Sequence, residues 1–422
     1  MSGGAFSISQ SGLQAVNTGM QAVSDNLANA QTTAFNAESV EFSTLLGEYV
    51  AGSPLGGGVN EQGLVRDFSQ GAIAQTNSPT DLAIQGNGFF VLQDAQGGQF
   101  FSRDGHTTVA ANGTLVGFNG DQVLGYPISA TGTAGGVLSP ITIPQSVLAP
   151  AASTTVGMTG NLDSTSPVTG NLTTPVAINP SDPTTYNSSV SVTVYDSLGN
   201  SHVLTFFFQN AGQVAASGST PATEQWNWMA TLDGSATGLT NNTGSLNFNS
   251  SGALVSGGVP SSSLTATPAG ASPLSLGLNF SALTQYATAS ATNATADGNA
   301  VGNPQGVSIS SNGTVSMSYS NGQTANIAQV AVATFNSEQG LQLSSNGAYQ
   351  QTDASGTPTI STPNAGAAGS IESGALESSN VDTTSQLVSL VVLQNSFEAN
   401  AKALQTEDNM LGSVIQITTQ LA

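Results

Sequence analysis

With 24 acidic residues against 3 basic ones, the 422-residue chain carries a formal net charge of −21, which excludes a nucleic-acid backbone as its partner. Charged residues make up 6 % of it, against roughly 25 % in typical soluble domains, so Ser, Thr, Asn, Gln and backbone groups must solvate its surface. Cysteine is absent, which excludes disulfides, thiolate metal sites and cysteine nucleophiles; 49 glycines and 17 prolines suit many short strands joined by turns.

The length predicts two to four domains rather than one core. Met1-Ser-Gly-Gly-Ala-Phe6 has neither a basic nor an apolar signal region, so no cleavable signal peptide is expected. No uncharged apolar run approaches the roughly 18 residues of a membrane span, and direct membrane insertion is not expected. From Phe6 to about Ala30, the residues Leu13, Val16, Met20, Val23, Leu27 and Ala30 recur at steps of three and four, predicting a helix with a heptad seam. Its other face, including Gln10, Gln14, Asn17, Gln21 and Asn26, reads as polar and solvent-facing. Gly12 and Gly19 weaken the isolated helix, which therefore needs partners.

Residues 31–75 read as a Gly- and Ser-containing connector that includes Gly52-Ser-Pro-Leu-Gly-Gly-Gly58. Asp81–Ile84 and Gly88–Leu92 predict a strand pair around Gly86-Asn-Gly88, and with the turns that follow, 80–128 reads as an antiparallel β domain. The Ser, Thr, Pro and Ala of 149–186 suggest a linker or domain boundary. Val190–Val194, Tyr195–Asn200 and His202–Phe208 then predict strand, turn and strand. Trp226, Trp228, Ala230 and Leu232 alternate, which places both tryptophans on one core face. After a second Gly-, Ser- and Pro-rich stretch at 353–380, Asp382 is positioned to cap a helix carrying Leu387, Leu390, Phe397, Ala401, Leu404, Leu411 and Ile415.

Heptad helices at opposite ends of a strand-rich chain predict a mainly β, multidomain fold. Discontinuous antiparallel β domains would accompany paired N- and C-terminal α-helices in a coiled-coil-like inner domain. The expected partition is 1–30 with 383–422 as inner domain, 31–75 with 354–382 as connector, 76–148 with 285–353 as first β domain, and 149–284 as outer β domain.

Catalytic patterns are missing. His106 and His202, the two histidines, fit no metal-ligand spacing and read as strand or turn residues. No phosphate-binding loop, dinucleotide fingerprint or EF-hand loop occurs, and Asp94, Asp104 and Asp121 read as turn residues. Scattered acids could hold a glycosidase pair, but nothing selects one. No catalytic residue, metal or cofactor is expected.

Ser11-Gly-Leu-Gln-Ala15, the string Asp25-Asn-Leu-Ala-Asn-Ala-Gln-Thr-Thr33 and Phe35 resemble the amino-terminal signature of bacterial flagellar rod and hook proteins. Its motif positions here are Asn26, Ala28, Asn29, Thr32, Thr33 and Phe35. Thr80–Phe90, Phe101-Ser-Arg-Asp-Gly105, Gly113–Val116 and Val123–Tyr126 resemble the next shared block. Gly374–Asp382 and Phe397-Glu-Ala-Asn400, with Glu398, Ala399 and Asn400, resemble the carboxy-terminal one. The hairpin within 186–202 is similar to the outer domain of the family's hook members, an insertion that the shorter rod members lack. Two departures stand out: Ala34-Phe35-Asn36 replaces the family's Gly-Phe-Lys or Gly-Tyr-Lys, and Gln394-Asn395 replaces its Gln-Arg.

The resemblance implies a non-enzymatic, self-polymerising subunit of a curved hollow helical tube outside the cell, serving as universal joint between rod and filament and as protein export channel. Its implied partners are further copies of itself, the distal rod, the hook cap, the hook–filament junction proteins and the flagellar type III export apparatus. Tube packing would fall to Leu13, Val16, Met20, Val23 and Leu27 with Leu387, Leu390, Phe397, Leu404 and Leu411. The alternatives are a distal-rod or hook-associated axial protein and, in another class, a secreted β-rich adhesin or polysaccharide-active protein.

Overall fold

A computed structural model describes residues 2–50, 53–129, 132–172, 177–217, 221–344 and 347–420. They fall into two compact units, residues 1–145 with 306–318 and 324–422, and residues 146–305 with 319–323.

The first unit opens with helix α1 (Ser2–Ala28) and closes with helix α2 (Thr383–Gln420). Between them, the stretch expected to be a Gly- and Ser-rich connector folds as a long antiparallel hairpin, β1 (Glu38–Val50) with β2 (Ser53–Arg66). Residues 51 and 52 of that stretch lie outside the described residues. Glycine richness masked the hairpin, yet the glycines serve it. Gly58 has φ +106° and lies so close to the Ser11 side chain that a Cβ would not fit.

Strands β3 (Ile73–Gln75), β4 (Leu82–Gln85) and β5 (Phe89–Gln93) follow. The expected pairing of β4 with β5 does not form. Gly86 and Gly88 do take positive φ, +105° and +123°, but they steer the chain between sheets. β4 pairs with Ser370–Ser373, whereas β5 pairs with Gln99–Ser102, Gln122–Pro127 and Val332–Thr334. The Phe-Phe-Val-Leu run of β5 is apolar on both faces, and it is buried throughout. Its core includes Phe89, Val91, Phe101, Leu124 and Tyr349, with Phe101 edge-on to Phe335 at 4.8 Å. The second Gly-, Ser- and Pro-rich stretch also contains strands, since Thr359–Ser361 pairs with Val332–Thr334 and Ala375–Glu377 pairs with β3.

In the second unit, Ser188–Tyr195 and Ser201–Val214 form the hairpin that the alternation predicts, and Thr223–Leu232, Thr243–Phe248 and Leu254–Ser256 extend the sheet. A second sheet is ordered Leu264–Ala266, Leu274–Tyr286, Thr155–Asp163, Ala291–Ala296. Side chains of both sheets, among them Met158, Phe206, Phe208, Trp226, Trp228 and Phe280, share one buried cluster. Three expectations are corrected here. The stretch 149–186 holds a core strand, because Val156, Met158 and Leu162 are buried despite the Thr and Gly around them. That strand runs parallel to Leu274–Tyr286, so the β domains are not wholly antiparallel. Ala291–Ala296 pairs with the same strand, so the unit continues past 284; its Ala, Thr and Asn offer no large apolar residue to mark it.

Candidate functional site: the paired terminal helices

The helix α2 starts where Asp382 caps it. One carboxylate oxygen accepts the Thr384 amide at 2.9 Å and the other accepts the Ser385 hydroxyl at 2.9 Å. These donors hold the carboxyl below its usual range.

Along the seam, small residues let the two helices approach. A Cβ on Gly12 would lie 3.0 Å from Nδ2 of Asn400, and one on Gly19 would lie 3.1 Å from Cδ2 of Leu393. The glycines that weaken α1 in isolation are therefore the closest-approach positions of the pair. Asn26 continues the same seven-residue step. Its placement on the polar outer face is corrected, for it is 0 % exposed. Its side chain accepts the Glu38 amide at 2.8 Å and donates to the Glu38 carbonyl at 2.7 Å and to Oε1 of Gln386 at 3.4 Å. One amide group thus ties α1 to β1 and to α2, closing both backbone valences of Glu38. Farther along, the Ser11 hydroxyl accepts the Val59 amide at 3.2 Å, and the Thr18 hydroxyl donates to Glu61 at 2.9 Å.

The remaining motif positions build an elbow after α1. Asn29 donates to the Asp25 carbonyl at 3.0 Å, and Thr32 donates to Oδ1 of Asn29 at 3.1 Å. Ala34 sits at φ +55°, a left-handed conformation that explains why the family's signature has glycine here. Asn36, where the family has lysine, is buried; it accepts the Tyr349 hydroxyl at 2.9 Å and donates to the Asp67 carbonyl at 3.2 Å. Burial pushes the Tyr349 phenol up to about 12. Asn380 clamps the other side, accepting the Ala37 amide and donating to the Asp67 and Ser69 carbonyls. Beneath the elbow lies a buried ion pair, Arg103 to Glu377 at 3.2 Å, whose carboxylate also accepts the Gly71 amide at 2.8 Å. The guanidinium stands 5.5 Å from the Phe89 ring. Sequence reading passed over Asn36, Asn380, Arg103 and Glu377 as anchors. The signal available was a lone cation within Phe101-Ser-Arg-Asp-Gly105 of a nearly uncharged chain.

The ten residues expected to pack the tube divide by exposure. Val16 and Val23 are buried, and Leu13, Met20, Leu390, Leu404 and Leu411 are half-buried. Leu27, Leu387 and Phe397 are exposed, Leu387 to 50 %. Ala28, Glu398 and Ala399 are exposed, and Thr33 is half-buried. On α2, Val388, Val391, Val392, Val414, Ile415 and Ile417 are each more than half exposed.

The histidines hold turns. His202 has Nδ1 2.7 Å from Asp233 and Nε2 3.5 Å from Asp196, and its pKa is raised chiefly by the hydrogen bond to Asp233. His106 lies 3.0 Å from Asp81. Among the described residues, no group of three His, Cys, Asp or Glu side chains is placed to hold a metal ion, and no helix is long and apolar enough to cross a membrane.

Terminal helices that pair with each other, at the two ends of a chain otherwise built of strands, define a structural protein rather than a catalytic one; the family it belongs to follows from its relatives. Three family models match: the flagellar hook protein FlgE/F/G D1 domain over residues 83–163, the flagellar basal body protein FlaE D2 domain over 161–299, and the flagellar basal body rod FlgEFG protein C-terminal region over 372–417. The chain is 35 % identical over 380 residues to the flagellar hook protein FlgE of Salmonella typhimurium, covering 87 % of this chain and 89 % of that one. It is 32 % identical over 421 residues to FlgE of Escherichia coli K12, covering 98 % and 100 %. It also shares the fold of the crystal structure of Helicobacter pylori flagellar hook protein FlgE2, with a TM-score of 0.54, 15 % identity, and coverage of 72 % of this chain and 100 % of that one. The chain belongs to the flagellar hook protein family, and it is a structural subunit of the flagellar hook. Proteins of this family are structural parts of the flagellum rather than enzymes.

Proposed function

We propose that the chain polymerises through its terminal helices into a curved hollow tube that transmits torque from rod to filament and conducts exported proteins. The observation that carries this reading is the exposed apolar surface of α2, whose Val388, Val391 and Val392 are more than half exposed. Further copies of the chain would cover it. A heterologous contact that does not close repeats into a helical filament, and subunits made of separate compact units can shift against neighbours as that filament bends. Helix pairing and polymerisation then stabilise one another, because each supplies apolar contact that the isolated helices lack.

In this reading the subunit acts outside the cell and arrives by the flagellar export apparatus. Its neighbours at the tube ends are the distal rod, the hook cap and the hook–filament junction proteins. The test is negative-stain electron microscopy of the full chain beside a variant lacking 1–30 and 383–422. Curved tubes from the full chain alone support the proposal; monodisperse particles from both overturn it and move the weight to a binding role for the β units.

A further inference from the structure

Lys402 is the chain's one lysine, and Arg66 and Arg103 are its other side-chain cations apart from histidine. Both arginines are committed inside the chain, Arg66 to Glu38 at 2.6 Å and Arg103 to Glu377 at 3.2 Å. Lys402 joins no ion pair among the described residues, although Glu398 stands one helical turn before it. It lies on α2 in a groove of about 590 Å³ whose lining includes the half-exposed Phe6 and Phe397, together with Leu404, Glu398 and Asp408.

Resting on the reading that the terminal helices polymerise, we propose that this groove receives a second copy of the chain and that Lys402 pairs there with one of that copy's carboxylates. The argument is charge complementarity. Each copy carries −21, so approaching copies repel almost everywhere. Lys402 is the one arginine or lysine on the described surface left free to attract an incoming acid, and it sits beside apolar side chains that also need cover. A neighbour seated on Phe6 and Phe397 excludes water from the ammonium, so the contact is screened by salt less than an open surface pair would be. The pair fixes register as well, because a copy shifted along the groove loses its only attractive charge contact there.

The single lysine makes the test specific. Tubes assembled from an equal mixture of unlabelled and isotope-labelled full chains are treated with a carbodiimide, which joins a carboxylate directly to an amine. Lys402, once it gives up its proton, is the only side-chain amine that can attack the activated carboxylate, releasing the carbodiimide as a urea. The expected result is a ladder on a denaturing gel, with a junction peptide in which Nζ of Lys402 from one isotope is amide-bonded to an Asp or Glu of the other. Lys402→Arg keeps the charge and should polymerise normally while losing that junction. Lys402→Gln should raise the critical concentration for assembly about twofold to fivefold, as expected for one ion pair. Circular dichroism of both monomeric variants reports that they fold. Tubes in which Lys402 is recovered unmodified, as for a side chain facing an open channel, or joined only to acids of its own chain overturn the proposal while leaving polymerisation standing. So does Lys402→Gln assembling as the parent does. Failure of the parent chain to form tubes under any condition removes the polymerisation reading, and this proposal with it.

Discussion

The second unit and the helix pair handle apolar surface in opposite ways. Phe206, Phe208, Trp226 and Phe280 meet across two sheets and are almost wholly inaccessible, so that core is completed by one chain. Helix α2 carries apolar side chains along its length but offers α1 only one stripe, a seam of glycines, asparagines and leucines. A heptad pattern therefore marks a surface to be covered without saying by which chain, whereas strict alternation in strands that pair locally marks a core that closes on itself.

The difference can be broken most directly by Leu404→Asp, which places a charge in the α1–α2 seam. Tubes should be lost in electron micrographs while the far-ultraviolet signature of both β units persists. Normal tubes would mean that assembly does not need the α1–α2 seam. Phe280→Ala reverses the pattern. It should lower the stability of the second unit by about 3–5 kcal/mol in urea unfolding, with tube yield at low temperature unchanged. Asn26→Ala leaves both backbone groups of Glu38 without their partner, and about 1–3 kcal/mol should be lost from helix melting. Ala34→Gly relieves the left-handed residue at the elbow, and a gain of about 1 kcal/mol is expected in the same melt.

The smallest effect is a pH dependence confined to the second unit. His202 faces Asp233 and Asp196, and its folded pKa is raised. Its stabilisation is therefore complete below the unfolded value near 6.5 and fades as pH rises through the folded value. Asp196 is pushed down to about 2, first by its hydrogen bond from Asn200, and Asp233 is lowered first by that from His202; their contributions fade only as pH falls through those lowered values. His202→Gln should flatten the alkaline limb of the unfolding profile by about 1 kcal/mol or less. An unchanged limb would refute the assignment.

Large side chains at regular spacing made part of this molecule legible in its sequence. The Val190–Phe208 hairpin, the shared face of Trp226 and Trp228 and both terminal helices announce themselves in this way, and the Asp382 cap does so by its residue type just ahead of an apolar period. The rest is written in residues that such patterns discount. Thr155–Asp163 and Ala291–Ala296 are strands made largely of Thr, Ala, Gly and Asn, and the β1–β2 hairpin is punctuated by glycines. In the helix pair, Gly12 and Asn26 count as helix-weakening and polar when read singly, yet backbone approach and buried amide pairing make them the centre of the seam. Pairings such as β4 with Ser370–Ser373 join segments too distant for any local signal.

The contact between Asn26 and Gln386 spans 360 positions of the chain. During synthesis, α1 consequently exists for almost the whole time without its partner, and a chain halted anywhere before α2 has no seam at all. Completeness is thereby encoded in shape. A truncated product lacks the helix pair, so under the proposed mode of assembly it would offer a neighbouring copy no surface on which to dock.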